Sequence, residues 1–270
     1  MLPLISVILS VYNCEQYVEE SINSILNQSF NDFELIIIDD ASRDKSSQIC
    51  QSLASKDPRI IFIQNKRNLG GCETLNVGLK YAHGKYIARQ DNDDWSYPFR
   101  LQKQLDFMEA NPDVGILGGN MELINENGKL IGHRHYHQHN EEIRKHIFRY
   151  SPFSHPLTIF RKSALDRYGH YNHEYAPADD YELYLRIGQS FKFANLPMTL
   201  MRYRILPNSL TNSRTLKMEK STIKVRELYF KNASYCPTFW DIFYNLIHKV
   251  SIYLIPPRIK MRLFNILRNE

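Results

Sequence analysis

The chain has 270 residues, which is long enough for one large domain with a hydrophobic core and an additional segment. Hydrophobic residues make up 43% and charged residues 23% of the sequence, and these fractions exclude a disordered chain and a coiled coil. The net charge of +5 is modest, and basic residues gather only after residue 230, so nucleic acid is not an expected partner.

The first half of the chain alternates predicted strands and helices. Apolar, β-branched runs predict the strands, and apolar residues at helical spacing predict the helices between them. This alternation is typical of βαβ units, so we expect an α/β fold with a mainly parallel sheet. The predicted strands cover 5–11, 34–38, 60–63 and 86–89, and the helices cover 15–28, a segment after Asp44 and 73–82.

The second half is less regular and has no internal repeat. Elements are predicted as a helix at 99–110, a strand at 114–118, a hairpin turn at 125–128, a helix at 141–149, a strand at 157–160 and a helix at 178–190. We expect one domain over residues 1–212 and a helical, basic and aromatic tail over 213–270.

The cysteines and the termini indicate where the protein is found. The four cysteines are scattered without a Cys-x-x-Cys pair, which favours a reducing compartment. The apolar N-terminus lacks a basic region and a cleavage motif, so a buried strand is a better interpretation than a signal peptide. No stretch reaches the roughly 18 uninterrupted apolar residues of a membrane span. We therefore expect a cytoplasmic protein, either soluble or peripheral on the inner face of the cell membrane.

Acidic residues follow two of the predicted strands, where parallel α/β sheets bind their ligands. Asp91, Asp93 and Asp94 repel one another unless water or a cation compensates, and Mg²⁺ or Mn²⁺ takes such carboxylates together with substrate phosphates. The alternative is a solvated acidic loop. Asp39 and Asp40, at the end of the second strand, are candidates for hydrogen bonds to a base or ribose, although such a pair often only begins a turn.

Several segments in the correct order resemble glycosyltransferase family 2, over about residues 3–212. These segments are SVILSVYN (6–13), ESINSILNQS (20–29), FELIIIDDAS (33–42), NLGG (68–71), NVGL (76–79), GKYIARQDNDD (84–94), PFRL (98–101), SHP (154–156), FRKS (160–163) and ADDYELYLR (178–186).

The resemblance implies a GT-A fold, a nucleotide-sugar donor and inversion at the anomeric carbon. By position it places Ser10, Tyr12 and Asp40 against the nucleobase. Asp91 is expected at the ribose or the metal shell, and Asp93 on a Mn²⁺ or Mg²⁺ ion. Because inverting transfer needs a general base, Asp180 is expected to take the proton of the acceptor hydroxyl. A helix N-terminal charge is the structural alternative for Asp180.

Other residues are expected on the acceptor or phosphate side of the site. They are Asp94, Trp95, His155, Asp179 and Arg204. Asp179 stands where relatives have Glu. His155 is as consistent with a packed histidine as with an acceptor pocket.

Three features of the sequence depart from the family pattern or suggest another ligand. The segment 74–76 lacks the arginine of many relatives, and Leu206 stands where a histidine often stands, so Arg204 or Arg202 is left to contact the phosphates. The histidine-rich tract 133–139 suggests zinc, but one strand makes a poor tetrahedral cage. We interpret this tract as an exposed loop or strand near the acceptor.

The tail alternates aromatic and basic residues, as segments at a membrane interface do. We expect contact with an anionic membrane, and packing on the domain or on a partner subunit is the alternative. The whole pattern predicts transfer from a nucleotide-sugar, with UDP as the expected nucleotide, to a hydroxyl of a surface glycan or lipid-linked oligosaccharide. Capsule, O-antigen or lipooligosaccharide assembly is the expected setting. The alternatives are transfer to a polyprenyl phosphate and a catalytically silent scaffold that binds sugar nucleotides.

Overall fold

A computed structural model describes residues 2–206 and 215–255. Its strands are β1 (Ile5–Val11), β2 (Phe33–Asp39), β3 (Ile60–Gln64), β4 (Tyr86–Asp91), β5 (Trp95–Ser96), β6 (Val114–Ile124), β7 (Leu130–Arg134), β8 (Ile159–Arg161) and β9 (Lys192–Arg204). Its α-helices are α1 (Val18–Leu26), α2 (Ser46–Ala54), α3 (Gly71–Leu79), α4 (Arg100–Ala110), α5 (Asn140–His146), α6 (Lys162–Tyr168), α7 (Asp179–Ile187), α8 (Thr215–Tyr229) and α9 (Phe239–Leu254).

The strands form one mixed sheet in the order β3-β2-β1-β4-β8-β6-β9-β5, with β7 paired to β6. The four strands of the first half are parallel to one another, as the βαβ pattern predicts. β8 is antiparallel to both of its neighbours, β4 and β6, while β6 and β9 are parallel. The α/β fold class is confirmed, and β2 and β4, which end in acidic residues, belong to the parallel group of the first half.

Helices cover both faces of this sheet, because the residues of the central strands alternate between two cores. On β2, Leu35 and Ile37 pack with α1, α2 and α4, while Ile36 and Ile38 pack with α3 and α7 on the other face. Gly78 allows the close contact of α3, since a Cβ there would lie 2.6 Å from Cδ1 of Ile38.

Two predicted elements differ from the structure. β6 runs on to Ile124 instead of ending near residue 118, because it pairs with β9 and β7 as well as with β8. The strand predicted at 157–160 begins later, since His155–Leu157 form a 3-10 helix and pairing starts at Ile159. The hairpin turn between β6 and β7 is present as predicted.

The end of the described chain is helical, and α8 packs into the core of the domain. Val225 and Tyr229 are buried there, and the Tyr229 hydroxyl donates to Oε1 of Glu182 on α7 at 2.9 Å. The predicted boundary at residue 212 lies outside the described residues. None of the described helices is long and apolar enough to cross a membrane.

Candidate active site

The carboxyl ends of three adjacent strands bring the two acidic segments to one edge of the sheet. Ser10 on β1 lies beside Ile38 of β2 on one side and beside Asp91 of β4 on the other. The parallel register thus places Ser10 between the Asp39-Asp40 pair and the acidic loop that begins at Asp91. Next to it in the chain, the Tyr12 side chain is 44% exposed at this edge.

The carboxylates of Asp39 and Asp40 accept hydrogen bonds from other groups of the protein. Asp39 is fully buried and accepts hydrogen bonds from the backbone amide of Ser42 and from Nε2 of Gln64. Asp40 accepts from the amides of Leu69 at 2.8 Å and Gly70 at 2.9 Å. These bonds hold the loop that leads into α3. The nucleobase contact of Asp40 stays a prediction, and the carboxylate that would make it is already oriented by two amides.

Asp40 also accepts a hydrogen bond from Nδ2 of Asn65 at 2.9 Å, so both of its carboxylate oxygens have donors in the protein. Gly70 suits this turn because its φ of +83° lies in the region that glycine adopts without strain. The end of β2 and the loop that leads into α3 are therefore fixed to each other by hydrogen bonds.

The loop after β4 holds three carboxylates in different surroundings. The Asp91 carboxylate is 36% exposed and accepts from Nη2 of Arg89 at 2.8 Å. Burial, followed by the charge of Asp91, raises the pKa of Asp93 above its ordinary value. Asp94 is buried, and burial and the charge of Asp93 raise the pKa of its carboxyl strongly. Asp91 and Asp93 are partly exposed, whereas Oδ2 of Asp94 is buried without a hydrogen-bond partner among the described residues.

These surroundings fit a divalent cation. A cation beside Asp91 and Asp93 would compensate the repulsion that raises the pKa of Asp93. Among the described residues, no group of three or more His, Cys, Asp or Glu is arranged to hold a metal. Two carboxylates with substrate phosphates completing the coordination shell is the arrangement typical of Mg²⁺ sites.

A buried network of hydrogen-bonded side chains holds the acidic loop after β4 in place. Nη1 of Arg100 donates to Oε1 of Gln90 and to Oγ of Ser96, both at 2.8 Å. Nε2 of Gln90 donates to the carbonyl of Asp94 at 3.0 Å and to Oγ of Ser21 at 3.1 Å. The network ties the acidic loop to α1 and α4, and the sequence motifs gave no indication of it.

Arg89 is a buried residue beside the acidic loop that the sequence motifs did not single out. Its side chain is 2% exposed and donates to the carbonyl of Ile8 at 2.6 Å as well as to Asp91. Its Nε is buried and has no hydrogen-bond partner among the described residues. The signal in the sequence is an arginine inside an apolar strand, because a charge buried there needs a partner.

A second acidic pair, Asp179 and Asp180, forms the start of α7. Burial, and then the charge of Asp179, raise the pKa of Asp180 to about 7, and Asp91 acts in the same direction. Burial also raises the pKa of Asp179, which accepts a hydrogen bond from the Cys72 thiol, while Arg89 opposes the shift. Asp180 therefore lies within electrostatic reach of Asp91, and Asp179 lies within electrostatic reach of Arg89.

His155 and Tyr171 line the same region. Nε2 of His155 lies 2.8 Å from the Tyr171 hydroxyl, and burial followed by the charge of Arg89 lowers the pKa of His155 well below its ordinary value. His155 is therefore neutral at pH 7. A neutral imidazole can donate or accept a hydrogen bond, but it adds no charge to the site.

Arg204 has a structural role that does not favour the expected phosphate contact. Its Nε donates to the carbonyl of Asp93, its Nη1 to that of Glu126, and its Nη2 to Oε2 of Glu20. Its backbone amide donates to Oδ1 of Asp94 at 2.9 Å. Every nitrogen of the guanidinium thus has an acceptor in the protein, and Arg204 fixes the acidic loop, while its phosphate contact stays a prediction.

Trp95 follows the acidic loop and forms β5 beside β9. The Arg202 guanidinium lies over its indole ring, 5.0 Å from the ring centroid, and donates to Oε2 of Glu122 at 3.0 Å. The Arg202 side chain is 44% exposed. It is therefore the more accessible of the two arginines that the sequence offers for phosphates.

The histidine-rich tract lies mainly outside the sheet. β7 ends at Arg134, so alternation along a strand does not place the later histidines on one face. The ring of His137 stacks on that of His146 at 4.6 Å, and its Nε2 lies 2.6 Å from the Tyr150 hydroxyl. The side chains of this tract thus contact surface aromatic rings.

The sheet and its flanking helices have the architecture of the GT-A fold. TarS from S. aureus (residues 1-349), in complex with UDP-GlcNAc, superposes with a TM-score of 0.68 at 22% identity, over 85% of this chain and 67% of that one. The mannosyltransferase PcManGT from Pyrobaculum calidifontis, in complex with GDP-Man and Mn²⁺, superposes with a TM-score of 0.66 at 16% identity, over 99% and 81% of the two chains.

Sequence comparison assigns the family. The family model described as glycosyl transferase family 2 matches residues 6–169. The chain belongs to glycosyltransferase family 2. The O-antigen biosynthesis glycosyltransferase WbnJ of Escherichia coli is 35% identical over 240 residues, which cover 86% of this chain and 91% of WbnJ. The resemblance inferred from the motifs is confirmed.

Proposed function

We propose that the protein transfers a sugar, with inversion, from a nucleotide-sugar to a hydroxyl group of a cell-surface glycan or a lipid-linked oligosaccharide. The observation that carries this proposal is the position of Asp180, whose pKa is raised to about 7 and which lies within electrostatic reach of Asp91. One carboxyl group in this arrangement is suited to accept a proton at neutral pH, and the other lies where a diphosphate and its metal would bind.

The proposed chemistry is a single displacement. The acceptor oxygen forms a bond to the anomeric carbon while the bond from that carbon to the diphosphate oxygen breaks. The leaving nucleoside diphosphate takes the electron pair, and the acceptor proton passes to Asp180. Because a base works best with a pKa near the working pH, a value of about 7 for Asp180 is suited to this role.

Asp91 and Asp93 are the residues that we propose hold Mn²⁺ or Mg²⁺. A bound divalent cation supplies positive charge that stabilises the leaving diphosphate. PcManGT, a structural neighbour, is described with Mn²⁺ and GDP-Man, which supports a metal in this class of site. Arg89, by pairing with Asp91, orients one of the two carboxylates.

UDP-sugar is the donor that we propose, and glycan assembly is the setting. TarS is described with UDP-GlcNAc, and WbnJ is named for O-antigen biosynthesis. Ser10, Tyr12 and Asp40 are the residues that we propose face the base, since they lie at or beside the ends of β1 and β2. Asp179, Trp95 and His155 belong to the proposed acceptor side.

A thermal-shift screen tests the donor site. Purified protein is heated with UDP, GDP, dTDP or CMP, each with and without Mn²⁺. Binding at a hundredfold excess over the dissociation constant stabilises the folded state by about 2.7 kcal/mol, so a clear rise in Tm is expected with UDP and Mn²⁺. Asp93→Ala should abolish the shift. Asp166→Ala is the matched control, because Asp166 is 57% exposed and pairs only with Lys162 among the described residues.

Two outcomes of further assays would change the proposal. A wild-type protein that shifts with UDP but transfers no sugar to any acceptor in a panel would be a silent binding protein. Unchanged turnover of Asp180→Asn would indicate an acceptor that is already ionised, such as a polyprenyl phosphate, because no base is then required. Absence of a shift with every nucleotide would refute the donor site itself.

A further inference from the structure

The C-terminal helix α9 has its polar face turned inward and its apolar face turned to solvent. Asp241 and Asn245 are buried, and the side chain of His248 is 18% exposed. These three residues recur at helical spacing on the side that faces the domain. The opposite side carries apolar residues that are 42–79% exposed, namely Phe239, Trp240, Ile242, Phe243, Leu246, Ile247, Val250, Tyr253 and Leu254.

Polar contacts fix the helix in this orientation. Oδ1 of Asp241 accepts from Nε of Arg149 at 2.9 Å, and Asp241 also forms a capping box with Thr238. Nδ1 of His248 lies 3.0 Å from Nη1 of Arg226 on α8. Rotating the helix to bury its apolar face would break these bonds. The exposed face is therefore built into the fold.

We propose that this face of α9 binds the surface of an anionic lipid membrane. The helix has 16 residues, or about 24 Å at 1.5 Å per residue, which is too short to span a bilayer and sufficient to lie in its interface. Trp240 and Tyr253 combine an apolar ring with a polar edge, and such rings are enriched at the boundary between lipid and water.

The charge around the face favours lipid over a second copy of the chain. Asp241, the one acidic residue of α9, is buried, so the exposed face carries no negative charge. The sequence beyond residue 255, which lies outside the described residues, contains Arg258, Lys260, Arg262 and Arg268 against Glu270. Cations near an anionic membrane strengthen binding to it, whereas a second copy would present the same positive charges.

Sedimentation of the full chain with vesicles tests the proposal. One set of vesicles is phosphatidylcholine, and the other contains phosphatidylglycerol as well. We expect the wild type to bind the phosphatidylglycerol vesicles and to be released by salt. The variant Phe243→Gln/Leu246→Gln/Val250→Gln should bind them at least roughly tenfold more weakly, because its polar side chains no longer gain free energy from leaving water.

The control variant is Leu130→Thr/Ile131→Thr on β7, where the two side chains are 47% and 53% exposed. It should bind vesicles like the wild type. A retained Tm in the triple variant shows that it is folded, and its response to UDP is independent of the lipid result. Equal binding of the triple variant and the wild type, or no sedimentation of the wild type, would refute the proposal. A lipid-free dimer that the triple variant converts to a monomer, without vesicle binding, would assign the face to a second copy.

Discussion

The guanidinium of Arg89 is held between the donor-side carboxylate of Asp91, 2.8 Å from its Nη2, and the backbone of β1. Arg89 is 2% exposed, whereas the Asp91 side chain is 36% exposed, so a buried cation orients an accessible anion. The same cation opposes the rise in the pKa of Asp179. One side chain thus couples the proposed metal site to the residues at the start of α7.

Arg89→Met should destabilise the protein by about 1–3 kcal/mol. The carbonyl of Ile8 loses a donor at 2.6 Å, and an unsatisfied buried acceptor costs that amount. Urea unfolding with the Arg59→Met variant as control measures the effect. The Arg59 ion pair with Asp57 lies nearer the surface, with 27% and 21% of the side chains exposed, so its loss should cost less than about 1 kcal/mol. Equal costs would show that the Arg89 bonds contribute no more than a surface pair.

The rate of sugar transfer should rise with pH through the pKa of Asp180. A base must be deprotonated to accept a proton, and burial and Asp179 raise the pKa of Asp180 to about 7. The profile of kcat/KM for the wild type should therefore increase between about pH 6 and pH 8 and then level. Asp180→Asn should lower kcat roughly 10²–10⁴-fold and remove this limb. A wild-type limb near pH 4 would assign the base to a group with an ordinary pKa.

The strands, the helices between them and the acidic strand ends of the first half were predictable, because periodicity and turn residues are local signals. The partners of those acidic residues were not. Asp40 binds the amides of Leu69 and Gly70, which lie 29 and 30 residues further along the chain. Such contacts depend on how the chain returns to the sheet edge, and no local pattern encodes that return.

The importance of Asp180 came from the family resemblance alone, since an aspartate at a helix N-terminus is common for dipole reasons. The structure adds the burial that raises its pKa. The family resemblance assigns no role to Arg89. An arginine inside an apolar strand indicates a buried charge that needs a partner, but only the packed sheet shows that its partners are the carbonyl of Ile8 and the carboxylate of Asp91.

Asp180→Asn should raise stability at pH 8 more than at pH 4. The folded-state pKa of about 7 exceeds the ordinary value of 3.8, so the folded protein binds the proton more tightly than the unfolded chain. The stability of the wild type therefore falls as the pH rises from about 4 to about 7, whereas the neutral amide escapes this loss. We expect a gain of roughly 1–3 kcal/mol at pH 8 in urea unfolding without metal.

Asn is suited to this test because its Oδ1 can still accept from the amide of Tyr181, which Asp180 accepts at 2.7 Å. Asp166→Asn is the control, since its exposed carboxylate pairs with Lys162 and should give no gain at pH 8. A stability difference independent of pH would show that the carboxyl of Asp180 has the same pKa in the folded and unfolded states.

Arg204→Met should lower the free energy of unfolding more than Arg202→Met does. Arg204 is 4% exposed and donates to the carbonyls of Asp93 and Glu126, so its loss removes the bonds of a buried guanidinium and should cost about 1–3 kcal/mol. Arg202 is 44% exposed and pairs with Glu122, so its loss should cost less than about 1 kcal/mol.

The two variants should also differ in how they bind UDP with Mn²⁺. Because Arg204 holds the backbone of Asp93, its removal should weaken binding together with stability. A direct phosphate contact by Arg204 would give a different result, in which affinity falls while the free energy of unfolding is unchanged. Calorimetric titration beside urea unfolding distinguishes these cases. A loss of affinity in Arg202→Met at unchanged stability would make Arg202 the arginine that contacts the diphosphate.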